Sequence, residues 1–507
     1  MRRVLRGASR PAGLLAIVLL AGLLALMIGA LRPSGGVALT AGVNADPAVV
    51  DATVVDTTVA LCRYGVDSIG DLAGYPIEEL RVGWYWNWTW TGSASAPANV
   101  EFMPTVRFSP SPSGGYTLPY VTLQAVTQAA AQYPGRVWFL GNEPDSPYQD
   151  NLEPHVYAEA YHDLYHAIKA ADPTARIANG GIVQVTPARL LYLDMVLDSY
   201  AERYGQAMPV DVWNIHVYVL QERSCDYDPA NCSGAELPPG VDWPVGEQYT
   251  IDDNASVDVF KKMVRDFRAW MARKGYQDRP LIVSEFGVQM PADYGFPPAR
   301  VNAYMDATLD FMRTAVGPEG YPADKHRLVQ QWAWWSLQMP PGETYLLSNG
   351  WLYDRGSPPQ RTVIGDNFAA YTAQIDPVVN LFPVRVYAQS PLAAAPTDSV
   401  TVTLSAQIAN DGEVAHSGSV VVRFYRGLPG DTSQQIGFDQ VITDLGGCGR
   451  SEVVSVTMPS VIPGRHPVYV VVDPDGEVSE RDEQDNLLEG TVLVATERVF
   501  LPLTNRK

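Results

Sequence analysis

Cysteine is scarce in this 507-residue chain, with four copies at positions 62, 225, 232 and 448. Only Cys225 and Cys232 lie close together, and no further His or Cys is near enough to complete a metal site there. Charge is scarce too, at 18% of residues, and basic charge scarcest. Five of the 36 Lys+Arg fall in residues 1–32, which hold no acid; the remaining 31 face all 56 Asp+Glu. So acidic a body does not hold phosphate backbones through bulk electrostatics, which excludes general nucleic-acid binding. Tryptophan is missing from the C-terminal third: all 12 lie between Trp84 and Trp351. The two parts of the chain therefore have different jobs, and the length fits two or more domains.

What is present begins with an address. Arg2, Arg3, Arg6 and Arg10 precede an uncharged apolar run over residues 13–31. Nineteen such residues just span a bilayer as a helix, and the basic flank would stay cytoplasmic. An uncleaved anchor and a cleaved signal both fit residues 1–32. Either predicts an extracellular protein, or one on the outer face of the plasma membrane, with membrane contact only if the segment is kept. Residues 33–61 read as a linker. Export permits disulfides. A local Cys225–Cys232 bridge is expected in its Pro/Asp/Asn/Gly-rich stretch, while pairing of Cys62 with Cys448 is left open.

From 62 to 376 short β-rich runs alternate with helical periods. The predicted strands are 64–68, 81–86, 102–106, 137–141, 176–179, 212–217, 281–284 and 329–335. Between them Val156, Tyr157, Ala160, Tyr161, Leu164, Tyr165 and Ile168 form one apolar stripe. Phe260, Met263, Val264, Phe267, Trp270 and Met271 form another. Eight strands alternating with helices predict an α/β fold, a closed (β/α)8 TIM barrel. An open doubly wound sheet would carry a Gly-rich phosphate turn after its first strand, and there is none. From 377 to 495 the texture changes to about seven β runs split by Gly, Pro and Asp, which predicts an all-β immunoglobulin-like sandwich. A tail spans 496–507. The barrel, closed by a helix near 365–374, is expected to fold alone when cut near Gln374.

In a parallel barrel the chemistry stands at the C-terminal ends of strands. The fourth predicted strand stops at Asn142-Glu143-Pro144-Asp145 and the seventh at Glu285-Phe286-Gly287. Two carboxylates facing each other across a barrel mouth suit glycosidic bond cleavage, one protonated and one ionised. On the sixth strand Asn214, His216 and Tyr218 share one face, suited to a polar lumen. His216 is placed to hold the acid/base or substrate, Tyr218 to hydrogen-bond the nucleophile. Trp84, Trp86, Trp88 and Trp90 recur at every second position; Trp84 and Trp86 read as packing and Trp88 as a sugar subsite. Trp334 or Trp335 is expected to close the floor of the site. Arg107 ends the third strand, either orienting a carboxylate or lying on the surface. The insertion 220–253 should overhang the active face as a cleft wall.

These residues resemble clan A, the retaining glycoside hydrolases built on (β/α)8 barrels. Asn142-Glu143 matches that superfamily's Asn-Glu pair after strand 4, and Glu285 its nucleophile after strand 7. The resemblance implies Glu143 as acid/base, Glu285 as nucleophile, and Asn142, His216, Tyr218, Trp88, Trp334 and Trp335 as substrate-binding residues. It implies no metal and no cofactor, and a carbohydrate substrate with β-linkages. The segment Asp473-Pro474-Asp475-Gly476-Glu477 with Asp482-Glu483-Gln484-Asp485-Asn486 resembles the acidic turn of CARDB β-sandwiches. A solvated hairpin is its expected state, with calcium the rival. Two other functions remain open: a non-catalytic carbohydrate-binding or adhesion protein on such a barrel, and a transglycosylase using the same carboxylates.

Overall fold

The computed structural model describes residues 59–223, 234–243, 246–288, 290–338, 349–389, 392–394 and 398–496. The expected leader, most of the linker, Cys225, Cys232 and nearly all of the tail lie outside them. Among the described residues no helix is long and apolar enough to cross a membrane.

The N-terminal unit carries strands β1 (Leu61–Asp67), β2 (Val82–Trp86), β3 (Glu101–Phe102), β4 (Thr105–Val106), β5 (Ser109–Pro110), β6 (Tyr116–Thr117), β7 (Val137–Leu140), β8 (Arg176–Asn179), β9 (Trp213–Val217), β10 (Leu281–Phe286), β11 (Val316–Tyr321) and β12 (Gln331–Trp334). Helices α1 (Leu123–Gln132), α2 (Pro154–Ala171), α3 (Pro187–Tyr204), α4 (Val257–Arg273), α5 (Pro298–Thr314) and α6 (Val363–Thr372) separate or follow them. Proline opens α2, α3 and α5, where its fixed φ suits the first turn and its missing N–H costs nothing. The predicted stripe on α4 is buried throughout. On α2, Val156 and Tyr165 are only half-buried.

All eight predicted strand regions carry parallel strands, but their ladders do not form one closed sheet. One sheet runs β3-β2-β1-β12-β10-β9 and a second β4-β7-β8. The first break falls inside the predicted third strand. Pro104 has no N–H to give, so β3 pairs with β2 and β4 with β7, while the Pro104 carbonyl accepts from Phe139 N at 2.9 Å. The second break falls between β8 and β9, which meet through the isolated bridges Ala178↔Val212 and Ile182↔Ile215. There the Asn179 side chain takes the place of a ladder. It accepts from Asn214 N and donates to Asn214 O, both at 2.8 Å.

Strand alternation sorts the core into two layers. Trp84, Trp86, Val137, Phe139, Ala178, Val212, Ile282 and Ala333 pack together in one cluster. Trp138, Leu140, Ile177, Trp213, Ile215, Leu281 and Val283 belong to a larger one with the helix stripes. A Cβ at Gly65 would fall 2.3 Å from the Trp84 ring, so only glycine lets that indole lie flat against β1.

The C-terminal unit is a two-sheet antiparallel sandwich. Its strands are β13 (Leu381–Ala388), β14 (Val400–Asn410), β15 (Ser419–Tyr425), β16 (Gln440–Thr443), β17 (Arg450–Val461), β18 (Gly464–Val472) and β19 (Leu487–Val494). The sheets are ordered β13-β14-β17 and β16-β15-β18-β19. Alternating Leu404, Ala406, Ile408, Val420, Val422, Phe424, Val468, Val470 and Val472 fill the space between them.

The expected independence of the N-terminal unit conflicts with its junction. Cys62 and Cys448 form a disulfide across 386 residues, with Cα atoms 6.0 Å apart. Beside it the fully buried Arg63 donates two bonds of 2.8 Å to Asp324, one of 3.1 Å to Glu413 and one of 3.0 Å to the Asp411 carbonyl. Arg327 bridges Asp324 and Asp411, and Arg481 adds a second cation on Asp411. A strand at the start of the first unit thus has obligatory polar partners in the second.

Candidate active site

Three strand ends bring the expected acids and their partners together. On β7, Val137 and Phe139 join the inner cluster, while Trp138 and Leu140 join the outer one. The chain then turns through Gly141 (φ 98°) and Glu143 (φ 45°). A left-handed glutamate is uncommon, and the turn is held by Glu143 N donating to Gly181 O at 3.0 Å. Glu285 depends on a bulge. Against β9, Val283 pairs with Ile215, yet Glu285 pairs with the next residue, His216. Simple alternation from inward Ile282 would turn Glu285 toward the helices; the extra residue re-aims it to the His216 side. Sequence placed Glu285 just past its strand, whereas β10 continues through Phe286.

His216 stands between the acids. Its Nδ1 lies 3.0 Å from Glu143 Oε1 and 3.6 Å from Glu285 Oε2. One oxygen from each glutamate and this nitrogen all lie within 4.8 Å of one another. Gly181 makes room for the ring, since a Cβ there would sit 2.4 Å from it. Glu285 accepts from Trp88 Nε1 at 2.9 Å on one oxygen and from Tyr218 Oη at 2.8 Å on the other. Both glutamates are buried. Burial and the neighbouring Glu143 push the Glu285 carboxyl up, while His216, Trp88 and Tyr218 pull it back only in part. Burial works against a charged His216, but Glu285 and Glu143 more than offset it and raise its pKa.

The other predicted residues divide. Asn142 is held by its backbone N–H on Asp150 Oδ2 at 2.8 Å, and its Oδ1 is buried without a protein partner. Arg107 does orient a carboxylate, that of Asp150 at 2.5 Å, so it braces the Asn142 turn. Trp88 reaches the site as a hydrogen-bond donor to Glu285. Trp84 and Trp86 are packing residues as expected, but in the inner cluster. Of the last pair, Trp335 lies in that cluster with its ring 5.2 Å from Trp351. Trp334 packs instead on Phe286 and donates to Gly350 O. Successive positions on one strand face opposite ways.

Sequence reasoning missed Asp67. It ends β1, is fully buried, accepts from Trp86 Nε1 and has an Oδ2 without a protein partner. Trp86 Nε1 also reaches Ser284 O at 3.1 Å, which ties Asp67 to the residue before Glu285. Burial, then the Glu285 charge, drives the Asp67 carboxyl well up. An acid at a strand end was the signal for Glu143 and Glu285; Asp67 also ends its strand, but Arg63 and Gly65 interrupt the apolar run before it.

Glu143, His216 and Glu285 are near enough to ligate a metal together. Both Glu285 oxygens already accept N–H or O–H bonds, an arrangement that serves a bare carboxylate.

Known proteins bear on this arrangement. Residues 68–227 match a family model described as "Glycosyl hydrolase catalytic core", and residues 385–490 match CARDB. A search of curated sequences finds no significant relative. Among solved structures, a GH128 (subgroup II) endo-beta-1,3-glucanase from Sorangium cellulosum matches at 15% identity, covering 61% of this chain and 98% of that one, with a TM-score of 0.39. A GH128 (subgroup III) curdlan-specific exo-beta-1,3-glucanase from Blastomyces gilchristii matches at 16% identity, covering 61% and 97%, also at 0.39. The CARDB domain of a Pyrococcus furiosus protein, in complex with di-metal ions, matches at 18% identity, covering 24% and 100%, at 0.20. Residues 68–227 are thus similar to a glycosyl hydrolase catalytic core and residues 385–490 to a CARDB domain.

Proposed function

We propose that this protein is an exported retaining glycoside hydrolase that cleaves β-linkages in a poly- or oligosaccharide, with its N-terminal unit acting as a (β/α)8 barrel. The observation that carries the reading is the closeness of the two acids. Oxygens of Glu143 and Glu285 within 4.8 Å of each other suit the ~5–5.5 Å carboxyl spacing of retaining enzymes. An inverting pair stands roughly 6.5–9.5 Å apart to admit a water. The Cys62–Cys448 bridge supports an oxidising location outside the cytoplasm.

In this reading Glu143 gives its proton to the glycosidic oxygen as that oxygen leaves C1. The Glu285 carboxylate attacks C1 from the opposite face and forms the glycosyl-enzyme. Glu143, now ionised, takes a proton from water; the water oxygen bonds C1 and Glu285 departs as carboxylate. Trp88 and Tyr218 favour the charged nucleophile by donating to both its oxygens. Asn142 and Trp335 meet the sugar.

Purified protein tested on laminarin, curdlan, β-1,4-glucans, xylan and mannan, with reducing-end detection and NMR of the first-formed anomer, checks the reading. A retained β-anomer is expected. Inverted product would sink the retaining mechanism, and inertness on all β-glycans would sink the activity.

The pH profile supplies a further prediction. Activity requires ionised Glu285, whose carboxyl sits above the usual range, so the acid limb of kcat/KM should lie above that of an ordinary glutamate. Tyr218→Phe removes a donor to the charged form, which raises that pKa further. The acid limb should move up by about one pH unit. An unmoved limb would show that Tyr218 does not act on the nucleophile.

A further inference from the structure

A second set of buried charges lies behind Glu143. Arg189, on the first turn of α3, is fully buried, as are Asp145 and Glu222. Its Nη1 donates to the side chain of Asp145 and, at 3.1 Å, to the Asp145 carbonyl. Nε donates to Glu222 Oε1 at 2.7 Å, and Nη2 to the Glu236 carbonyl at 2.6 Å. The guanidinium thus joins two loops. Asp145 lies two residues after Glu143, in the turn that holds this glutamate in its left-handed conformation. Glu222 and Glu236 belong to the insertion that leaves β9 just after Tyr218. That insertion returns to the same anchor, because Gly246 N bonds Glu222 O at 3.2 Å and Glu247 N bonds Glu222 Oε2 at 3.2 Å. Thr186 Oγ1 adds a 2.8 Å bond to Glu222 Oε1 from the α3 N-cap position.

We propose that Arg189 is a positioning residue that seats the Glu143 turn against the insertion after β9, so that the proton donor and the cleft wall are set by one guanidinium. This rests on the glycosidase reading. Glu285 is supported separately, by Trp88, Tyr218 and the β10 bulge, so Arg189 acts on one half of the chemistry. A planar fork that reaches four oxygens on three residues has no equivalent in lysine, whose ammonium is a point donor. Loosening the fork lets the Glu143 turn drift while the nucleophile stays in place. Protonation of the leaving oxygen should then suffer, and attack at C1 should not.

The test uses the full chain and aryl β-laminaribiosides and β-cellobiosides with leaving groups from 2,4-dinitrophenyl to phenyl. Arg189→Lys should lower kcat/KM roughly 30–100-fold on phenyl glycosides, which need an acid, and by about threefold or less on dinitrophenyl glycosides, which do not. Glu222→Gln keeps Arg189 on Asp145 but weakens its hold on the insertion. It should show the same slope at smaller amplitude, and it carries the test if Arg189→Lys does not fold. Equal losses across all leaving groups would assign Arg189 a structural role only and overturn the proposal. Wild-type protein inert on these probes and on every glycan would instead remove the glycosidase reading, and the proposal with it.

Discussion

Glu285→Gln is expected to abolish turnover on every substrate, by roughly 10⁴-fold or more, because it removes the carboxylate that forms the glycosyl-enzyme. Glu143→Ala is expected to behave differently. On substrates with poor leaving groups it should lose about 10²–10⁴-fold, the usual worth of a general acid. On dinitrophenyl glycosides the first step should survive, and the glycosyl-enzyme should accumulate for want of a base. Azide, which needs no deprotonation, should then attack C1 in the space vacated by the side chain. Rate should return with azide concentration, and a β-glycosyl azide should form. The donors to Glu285 are Trp88 and Tyr218, so removing Glu143 leaves both in place. Product analysis by mass spectrometry and NMR checks the result. A β-glycosyl azide from Glu285→Ala, with an α-glycosyl azide from Glu143→Ala, would reverse the two roles. Full activity in both variants would sink the catalytic reading.

The elements that were legible in the sequence are those in which one residue pattern answers to one physical demand. Strands β7 and β10 were visible because Val137–Leu140 and Leu281–Val283 run unbroken in apolar residues, as strands covered on both faces do. Helix α4 was visible because its apolar residues recur at a helical period. The pair Glu143 and Glu285 was visible because each ends such a run. Features that depend on partners distant in sequence were not. Nothing near Ser284 announces the bulge that re-aims Glu285, because the register is set across β9 and β12. Nothing near Trp88 says that its indole N–H bonds Glu285; stacking and donating place the same residue type at the same position. The split of the sheet at Pro104 follows from a single missing N–H. At the second break, between β8 and β9, the link rests on one asparagine amide, which looks like any polar residue at a strand end.

The junction between the two units predicts a larger effect than a composition break suggests. A chain ending at Gln374 loses Cys448, Glu413 and Asp411 together. Removing a disulfide that closes a loop this long costs about 2–5 kcal/mol. Withdrawing partners from a buried charge costs roughly 3–5 kcal/mol when the charge cannot move to water. Arg63 keeps Asp324 and the Gln330 carbonyl in the truncated chain, which limits the second cost. Tyr321 and Ala323 also lose the apolar cover of Phe382 and Ala409. Losses of this size approach the ~5–15 kcal/mol that holds a domain folded. The truncated unit is therefore expected to be insoluble, or to melt well below the full chain, although every acid of the site is still encoded. Two variants of the full chain separate the causes. Cys448→Ser should lower the melting temperature only under oxidising conditions, and should bring it to the value the wild type shows in reductant. Glu413→Gln should lower it in both, because the fully buried Arg63 then faces one carboxylate fewer. Calorimetry of the four proteins with and without reductant reads these effects. A truncated chain that melts with the full one, in either condition, would show that the N-terminal unit stands by itself and that the shared charges add nothing to its stability.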